Sequence, residues 1–270
     1  MKQSTLSVRL STEELLLILW LLNVPTLPGM GGNPFGEASE EQIAAALSSA
    51  ERSLRARRLI GKTEKGKIQM DEVVMALVGT CAVPEFSVVL TQEAPDTGRV
   101  IHYFHATKLL AVEHSNPEPG IHVFEALPDA NVILTRLEEL MQLAKQGAPS
   151  AKPVQTTMSV LQRATQAAQR AAREAKTILI EAGMERQTAT TLSQTLTHMR
   201  RRSAVVAIHN LREASSSSDG LVILEGENSL WAMQIDGEND SAMVYLWGQS
   251  AADIRLRLQE LIHGEQMQFA

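Results

Sequence analysis

Polar and apolar residues alternate from Thr5 to Leu10, which predicts a short strand. Ser11-Thr-Glu-Glu14 then has capping-box spacing ahead of the apolar run Leu15 to Leu22, so a helix starts near residue 12 and stops before Pro25. Residues 24–37 are rich in proline and glycine and read as loop. Ser39-Glu-Glu-Gln42 opens a second helix, with Ile43, Ala46, Leu47 and Leu54 on its apolar face. A polar turn covers 61–67, and Asp71 caps a helix to about 82. Strands follow at 86–91, 100–104, 109–113 and 121–125, then a helix from about Asp129 to Lys145. Residues 146–157 read as a linker. The Ala-, Arg-, Gln- and Glu-rich stretch 158–182 reads as one long helix stopped by Gly183, with a second helix to about Arg202. Strands at 204–208, 221–225, 230–235 and 243–247 and a helix from Ser250 to His263 complete the chain. Short links between successive strands favour antiparallel meanders over parallel crossovers.

The second half of this pattern echoes the first. Residues 109–140 align with 230–261 at a constant offset of 121, without a gap. Leu109, Ala111, Val123, Ala130, Ile133, Arg136, Leu137, Glu139 and Leu140 match Leu230, Ala232, Val244, Ala251, Ile254, Arg257, Leu258, Glu260 and Leu261. A repeat of about half the chain implies two related lobes, not a solenoid. The expectation is an α+β fold of two lobes, each an antiparallel β-meander followed by a helix. A helical pair lies between them, and the lobes are related by a pseudo-twofold axis. The N-terminal lobe is placed at 1–150 and the C-terminal lobe at 151–270. The matching residues are core-formers plus a surface Arg and Glu, so the repeat speaks of scaffold, not chemistry.

Composition narrows the picture. The chain has 270 residues, 44% of them hydrophobic and only 4% aromatic, so its core is built from Leu, Val, Ile, Ala and Met. A net charge of −6 gives no overall pull toward nucleic acid or anionic membrane. One cysteine, Cys81, excludes an internal disulfide framework and a cysteine zinc cluster. The run Leu15 to Leu22 is shorter than the roughly 20 residues of a membrane span. Glu13 and Glu14 against it argue against a signal peptide, so the chain reads as cytoplasmic.

Reactive groups do not assemble in the sequence. His102 and His105 are three apart in a strand and point to opposite faces, and His114 and His122 align with Ile235 and Met243. No metal site is expected. Carboxylates fall on predicted helix surfaces and turns, and the acidic turn 236–240 lacks EF-hand ligand spacing. Gly29-Met-Gly-Gly32 neither follows a strand nor opens a helix, and neither a G-x-S-x-G nor a P-loop occurs. The reading is therefore no enzyme, no cofactor. Arg52, Arg55, Arg57, Arg58, Lys62, Lys65 and Lys67 form a basic helix end and turn, like the helix-plus-wing half of a winged helix. A DNA-binding regulator using 52–67 is the alternative function. Arg200-Arg201-Arg202 is read as closing a helix.

The duplicated meander-plus-helix, the Ser11-Thr-Glu-Glu-Leu15 opener, Ser53-Leu-Arg-Ala-Arg-Arg-Leu-Ile60, the central helices and Ser250-Ala-Ala-Asp253 opening a Leu-rich helix resemble the EspG-type chaperones of type VII (ESX) secretion. The chain departs from that family in its Gln- and Thr-rich central helix. The resemblance implies a non-enzymatic cytoplasmic chaperone that shields the apolar tip of a helical protein client, as a monomer or weak homodimer. The binding surface is expected on the second sheet and its helices. Trp231 and Trp247 are candidate anchors because Trp is enriched in interface hot spots. Leu161, Ala168 and Ala172 are candidates because a small-residue stripe admits a partner helix.

Overall fold

The computed structural model describes residues 6–30, 35–143, 153–212 and 216–264. Its strands are β1 (Ser7–Ser11), β2 (Ile60–Lys62), β3 (Ile68–Met70), β4 (Phe86–Ala94), β5 (Gly98–Ala106), β6 (Ala111–Glu118), β7 (Ile121–Leu127), β8 (Val154–Thr157), β9 (Arg201–His209), β10 (Ser217–Glu225), β11 (Leu230–Asp236) and β12 (Met243–Gly248). Its helices are α1 (Thr12–Leu21), α2 (Glu40–Ala56), α3 (Glu72–Ala82), α4 (Val132–Met141), α5 (Met158–Ala168), α6 (Ala172–Glu181), α7 (Arg186–Thr197) and α8 (Ala251–His263). The fold is α+β. Ten strands form an antiparallel sheet in the order β1-β7-β6-β5-β4-β9-β10-β11-β12-β8, and β2–β3 is a separate hairpin.

The chain forms two compact units, each drawn from three segments. The first takes residues 1–88, 101–133 and 208–217. Strand alternation sends Val8, Leu10, Val112 and Phe124 to one face of its sheet, against Leu15, Ile18 and Leu19 of α1, Leu54 of α2 and Val74, Leu77 and Val78 of α3. Cys81 is sealed in this core, and burial pushes its thiol pKa far up, as for an inert packing residue. The helices begin where the sequence signals them. Ser11 and Glu14 cap α1 reciprocally, Ser39 and Gln42 do the same for α2, and Asp71 accepts from Val73 and Val74 at α3.

The C-terminal end of α2 is less expected. Leu59 N–H bonds back to Leu54 O and Arg58 N–H to Arg55 O, which is a Schellman closure. The residue after the cap must then be left-handed, and Arg58 sits there at φ +60°. Glycine takes that conformation freely, and an L side chain costs about 1 kcal/mol or more.

The second unit takes residues 89–100, 134–207 and 218–270. Here β10, β11, β12 and β8 pair in turn, with Met233 opposite Leu246 and Val244 opposite Thr156. Leu224, Trp231, Met233, Val244 and Leu246 face α5–α7, packing on Leu161, Ala164, Ala168, Ala175, Leu179 and Leu192. Ser250 and Asp253 cap α8, and Arg257 lays its guanidinium over the Trp247 ring, 5.4 Å from its centroid.

The observed elements differ from the sequence reading at several places. The stretch 158–182 is two helices, not one: Ala171 is extended at φ −162° and ψ 135°, so three helices, not a pair, lie between β8 and β9. No Gly or Pro marks this break; the fold-back of α6 on α5, which buries the Ala164/Ala168/Ala175 stripe, overrides helix propensity. The linker's end, 154–157, is strand β8, while its start lies outside the described residues. Leu109 does not open a strand: it is 96% exposed in a turn held by Thr107 Oγ1.

The order β-β-β-β-α occurs twice, in β4–β7 with α4 and in β9–β12 with α8. The gap-free offset does not hold through it. Ile133 and Leu137 match Ile254 and Leu258 in burial, and Val112, like Met233, faces the helices. Phe124 faces the helices whereas its aligned Tyr245 does not, because Val244 and Leu246 take that face. A one-residue slip turns a strand's side chains to the other side.

Candidate functional site

Three histidines converge on the helix-facing side of the first unit's sheet. His105 Nδ1 meets Ser87 Oγ at 2.8 Å, His114 Nε2 meets His122 Nδ1 at 3.0 Å, and His122 Nε2 meets Thr12 Oγ1 at 3.1 Å. Tyr103 and Phe124 stack on His114 at centroid distances of 5.6 and 4.5 Å. Burial pushes the His105 imidazole down to about 4. Burial, with charge from His122, pushes His114 down to about 3. These rings are therefore neutral at pH 7. A Ser–His contact is half of an activated nucleophile, but Ser87 and His105 are sealed, at 2% and 0% exposure, so no substrate reaches them. His102 lies on the opposite face, as alternation requires, with Nδ1 2.9 Å from the buried Glu113 carboxylate. Among the described residues no group of three His, Cys, Asp or Glu side chains is arranged to hold a metal. Gly29 packs against the Tyr103 ring and its neighbours 31–34 lie outside the described residues, so the glycine stretch is partly a packing feature.

Carboxylates are not confined to surfaces, as the sequence reading had them. Glu14, Glu113 and Glu225 are all buried, and each is paired. Arg201 holds Glu225 through Nε and Nη2 at 3.1 and 2.8 Å. The arginine run 200–202 does not close a helix: α7 ends at Thr197, and Arg201 and Arg202 start β9.

Among the described residues the second unit has an open apolar groove of about 270 Å³ between α5, the end of α7 and the β10–β11 face. Leu161, Leu196, Leu224 and Met233 form its floor, and Met158 and Met199 its half-buried walls. Gln162, Gln166 and Arg202 give it a polar rim. The groove exists because α5 begins at Thr157, whose hydroxyl caps Val160 N–H, directly out of edge strand β8. This sets Met158 and Leu161 over the sheet, one turn apart.

Of the five residues singled out in the sequence, Leu161 alone lines this groove. Trp231 is 1% exposed and donates its indole N–H to Thr195 Oγ1. Trp247 is 4% exposed beneath Arg257. Ala168 is buried and Ala172 half-buried where α5 turns into α6. Sequence reasoning missed Met158 and Met199. Their signal was present: one methionine at each end of the helical segment, flanking an otherwise Gln- and Thr-rich stretch.

The basic 52–67 segment is a helix end followed by the β2–β3 hairpin. Arg55 is tied to Glu51 and Arg57 to Glu14, so those two do not project freely. Among the described residues no helix is long and apolar enough to cross a membrane.

No protein-family model matches the chain, and no curated protein matches it in sequence. Among solved structures it is similar to the Mycobacterium tuberculosis type VII secretion system chaperone EspG5, solved in complex with the PE25–PPE41 dimer, with 12% sequence identity and a TM-score of 0.66 over 95% of each chain. The chain has the fold of that chaperone, kept at a distance where few individual residues are shared.

Proposed function

We propose that this chain is a non-enzymatic cytoplasmic chaperone that shields a helical secretion client, using the groove of its second unit. The observation that carries the reading is the shared fold over 95% of both chains, in a relative whose structure holds a protein dimer. The groove supplies a physical means. Its Leu floor offers apolar area worth about 25 cal/mol per Å² when covered, before association costs. Methionine walls are flexible and polarizable, and adapt to differing client tips. The Gln and Arg rim keeps the groove wetted until a client arrives. Leu161 then serves as part of the floor, while Trp231 is spent in the core on Thr195 of α7 and Trp247 faces the other side of the sheet under Arg257.

Co-expression with a helical secreted pair encoded beside this gene tests the reading. The wild-type chain co-purifies with the pair, and Met158→Glu/Met199→Glu, on half-buried walls, loses it while keeping the wild-type circular dichroism spectrum. Retention of the client by that variant places binding elsewhere, and absence of any co-purifying helical protein removes the chaperone reading.

A further inference from the structure

We propose that the cleft between the end of α2 and the β2–β3 hairpin docks a short acidic peptide segment of a partner protein. Residues 52–67 carry seven cations against one carboxylate, Glu64, so the segment is +6 in a chain of −6, and the remainder carries −12. The cleft, about 590 Å³, is walled by Arg55, Arg58 and Lys62, with Gln69 and Asp71 beyond them. Asp71 is committed to the α3 cap through Val73 and Val74. Among the described residues Arg58, Lys62, Lys65 and Lys67 form no ion pair.

Arg58 is the telling residue. It occupies the left-handed position that closes α2, where glycine is the relaxed choice. Arginine there contributes only its side chain, and that side chain lines the cleft without an ion-pair partner among the described residues. A strained backbone carrying an unpaired guanidinium at a cleft wall is accounted for by a ligand from outside. Guanidinium favours paired contacts to planar carboxylates.

The charge distribution selects the length of the ligand. An extended acidic segment of about five residues spans roughly 17 Å and stays on the patch. A long polyanion such as duplex nucleic acid runs past it onto a surface that carries the −12 remainder, and is repelled there at low salt. This inference is independent of the client groove, which lies in the second unit.

The test uses the full-length protein and a fluorescently labelled ten-residue Glu-rich peptide, with its Gln counterpart and a duplex DNA of equal charge as comparisons. Anisotropy shows saturable binding of the Glu peptide that weakens as salt rises, with little binding of the Gln peptide. Arg58→Gly binds at least ten-fold more weakly while its thermal midpoint stays equal or rises, since the backbone strain is relieved. Lys62→Glu/Lys67→Glu, on exposed hairpin positions, loses binding without unfolding. Unchanged binding in Arg58→Gly, equal binding of the Gln peptide, or tighter binding of the duplex overturns the proposal. Client co-purification by Arg58→Gly is unaffected in either case.

Discussion

Trp231 donates its indole N–H to the Thr195 hydroxyl at 3.1 Å, joining the second unit's sheet to helix α7. The hydroxyl is fully used. It donates to Thr191 O at 3.0 Å and also meets Ser229 Oγ at 2.6 Å. One donor and two lone pairs are all a threonine has. A Trp that is both 1% exposed and hydrogen-bonded is a structural pin, and its polar handle accounts for Thr195, the one threonine among the buried residues of α7.

Thr195→Val keeps the shape but leaves the buried indole N–H without its acceptor and takes a partner from the half-buried Ser229 hydroxyl. The cost is about 2 kcal/mol, because an unmade buried hydrogen bond carries the full desolvation penalty. Thr195→Ser keeps the hydroxyl and costs about 1 kcal/mol or less. Urea denaturation with an unchanged slope checks both.

Glu14 ties three elements of the first unit together. Its carboxylate accepts from Ser11 N–H, from Ser53 Oγ at 2.7 Å and from Arg57 Nη1 at 2.8 Å. The acid is 7% exposed and the Arg57 side chain 40% exposed, so the pair is buried at one end only. Glu14→Ala removes the glutamate half of the α1 capping box and the anchor to α2 together, leaving the Ser11 cap in place, at a cost of about 3 kcal/mol. Arg57→Ala costs about half of that, since water already solvates much of the guanidinium. Thermal melts of the two variants rank the effects, and an equal loss for both is the outcome this asymmetry forbids.

The buried histidines make stability depend on pH. Folded values lie below the ordinary 6.5, at about 4 for His105 and about 3 for His114, with His122 lowered as well. The unfolded chain therefore takes up these protons first. Stability is full above pH 6.5 and declines as pH falls from there toward 4 and below, by up to about 1.4 kcal/mol per pH unit for each ring. Urea midpoints from pH 7.5 to 5 follow this decline. His114→Phe, which preserves stacking against Phe124, flattens the slope even where it lowers stability at pH 7.

Elements with strong local signals were legible from residues alone. The capping boxes at Ser11, Ser39 and Ser250 each begin a helix where the sequence places it, and alternating runs such as 204–208 and 243–247 fall inside strands β9 and β12. Features set by distant partners were not legible. Nothing near Glu14, Glu113 or Glu225 foretells burial, because Arg57, His102 and Arg201 come from other elements. The Phe124/Tyr245 slip is invisible to a gap-free alignment because both are aromatic and both fit a strand. The groove is a product of three elements, and only Leu161 announced it, through helix periodicity on α5.

The break between α5 and α6 makes the last prediction. Ala171 occupies the N-cap of α6 in an extended conformation and provides no side-chain acceptor, so the first-turn N–H groups of α6 lack the cap that other helices have. Serine fits φ −162° and ψ 135° without strain and offers its hydroxyl to Glu174 N–H, which now bonds only back to Ala171 O at 3.1 Å. Ala171 is half-buried, so there is room for one more oxygen at the helix start. Ala171→Ser is expected to stabilise the second unit by about 0.5–1 kcal/mol. Ala171→Leu, a better helix former without an acceptor, gives no such gain if the break is fixed by the fold-back of α6 on α5. If instead the leucine variant were the more stable of the two, helix propensity through 158–182 would outweigh the turn, and the buried Ala164/Ala168/Ala175 stripe would not be what bends the chain.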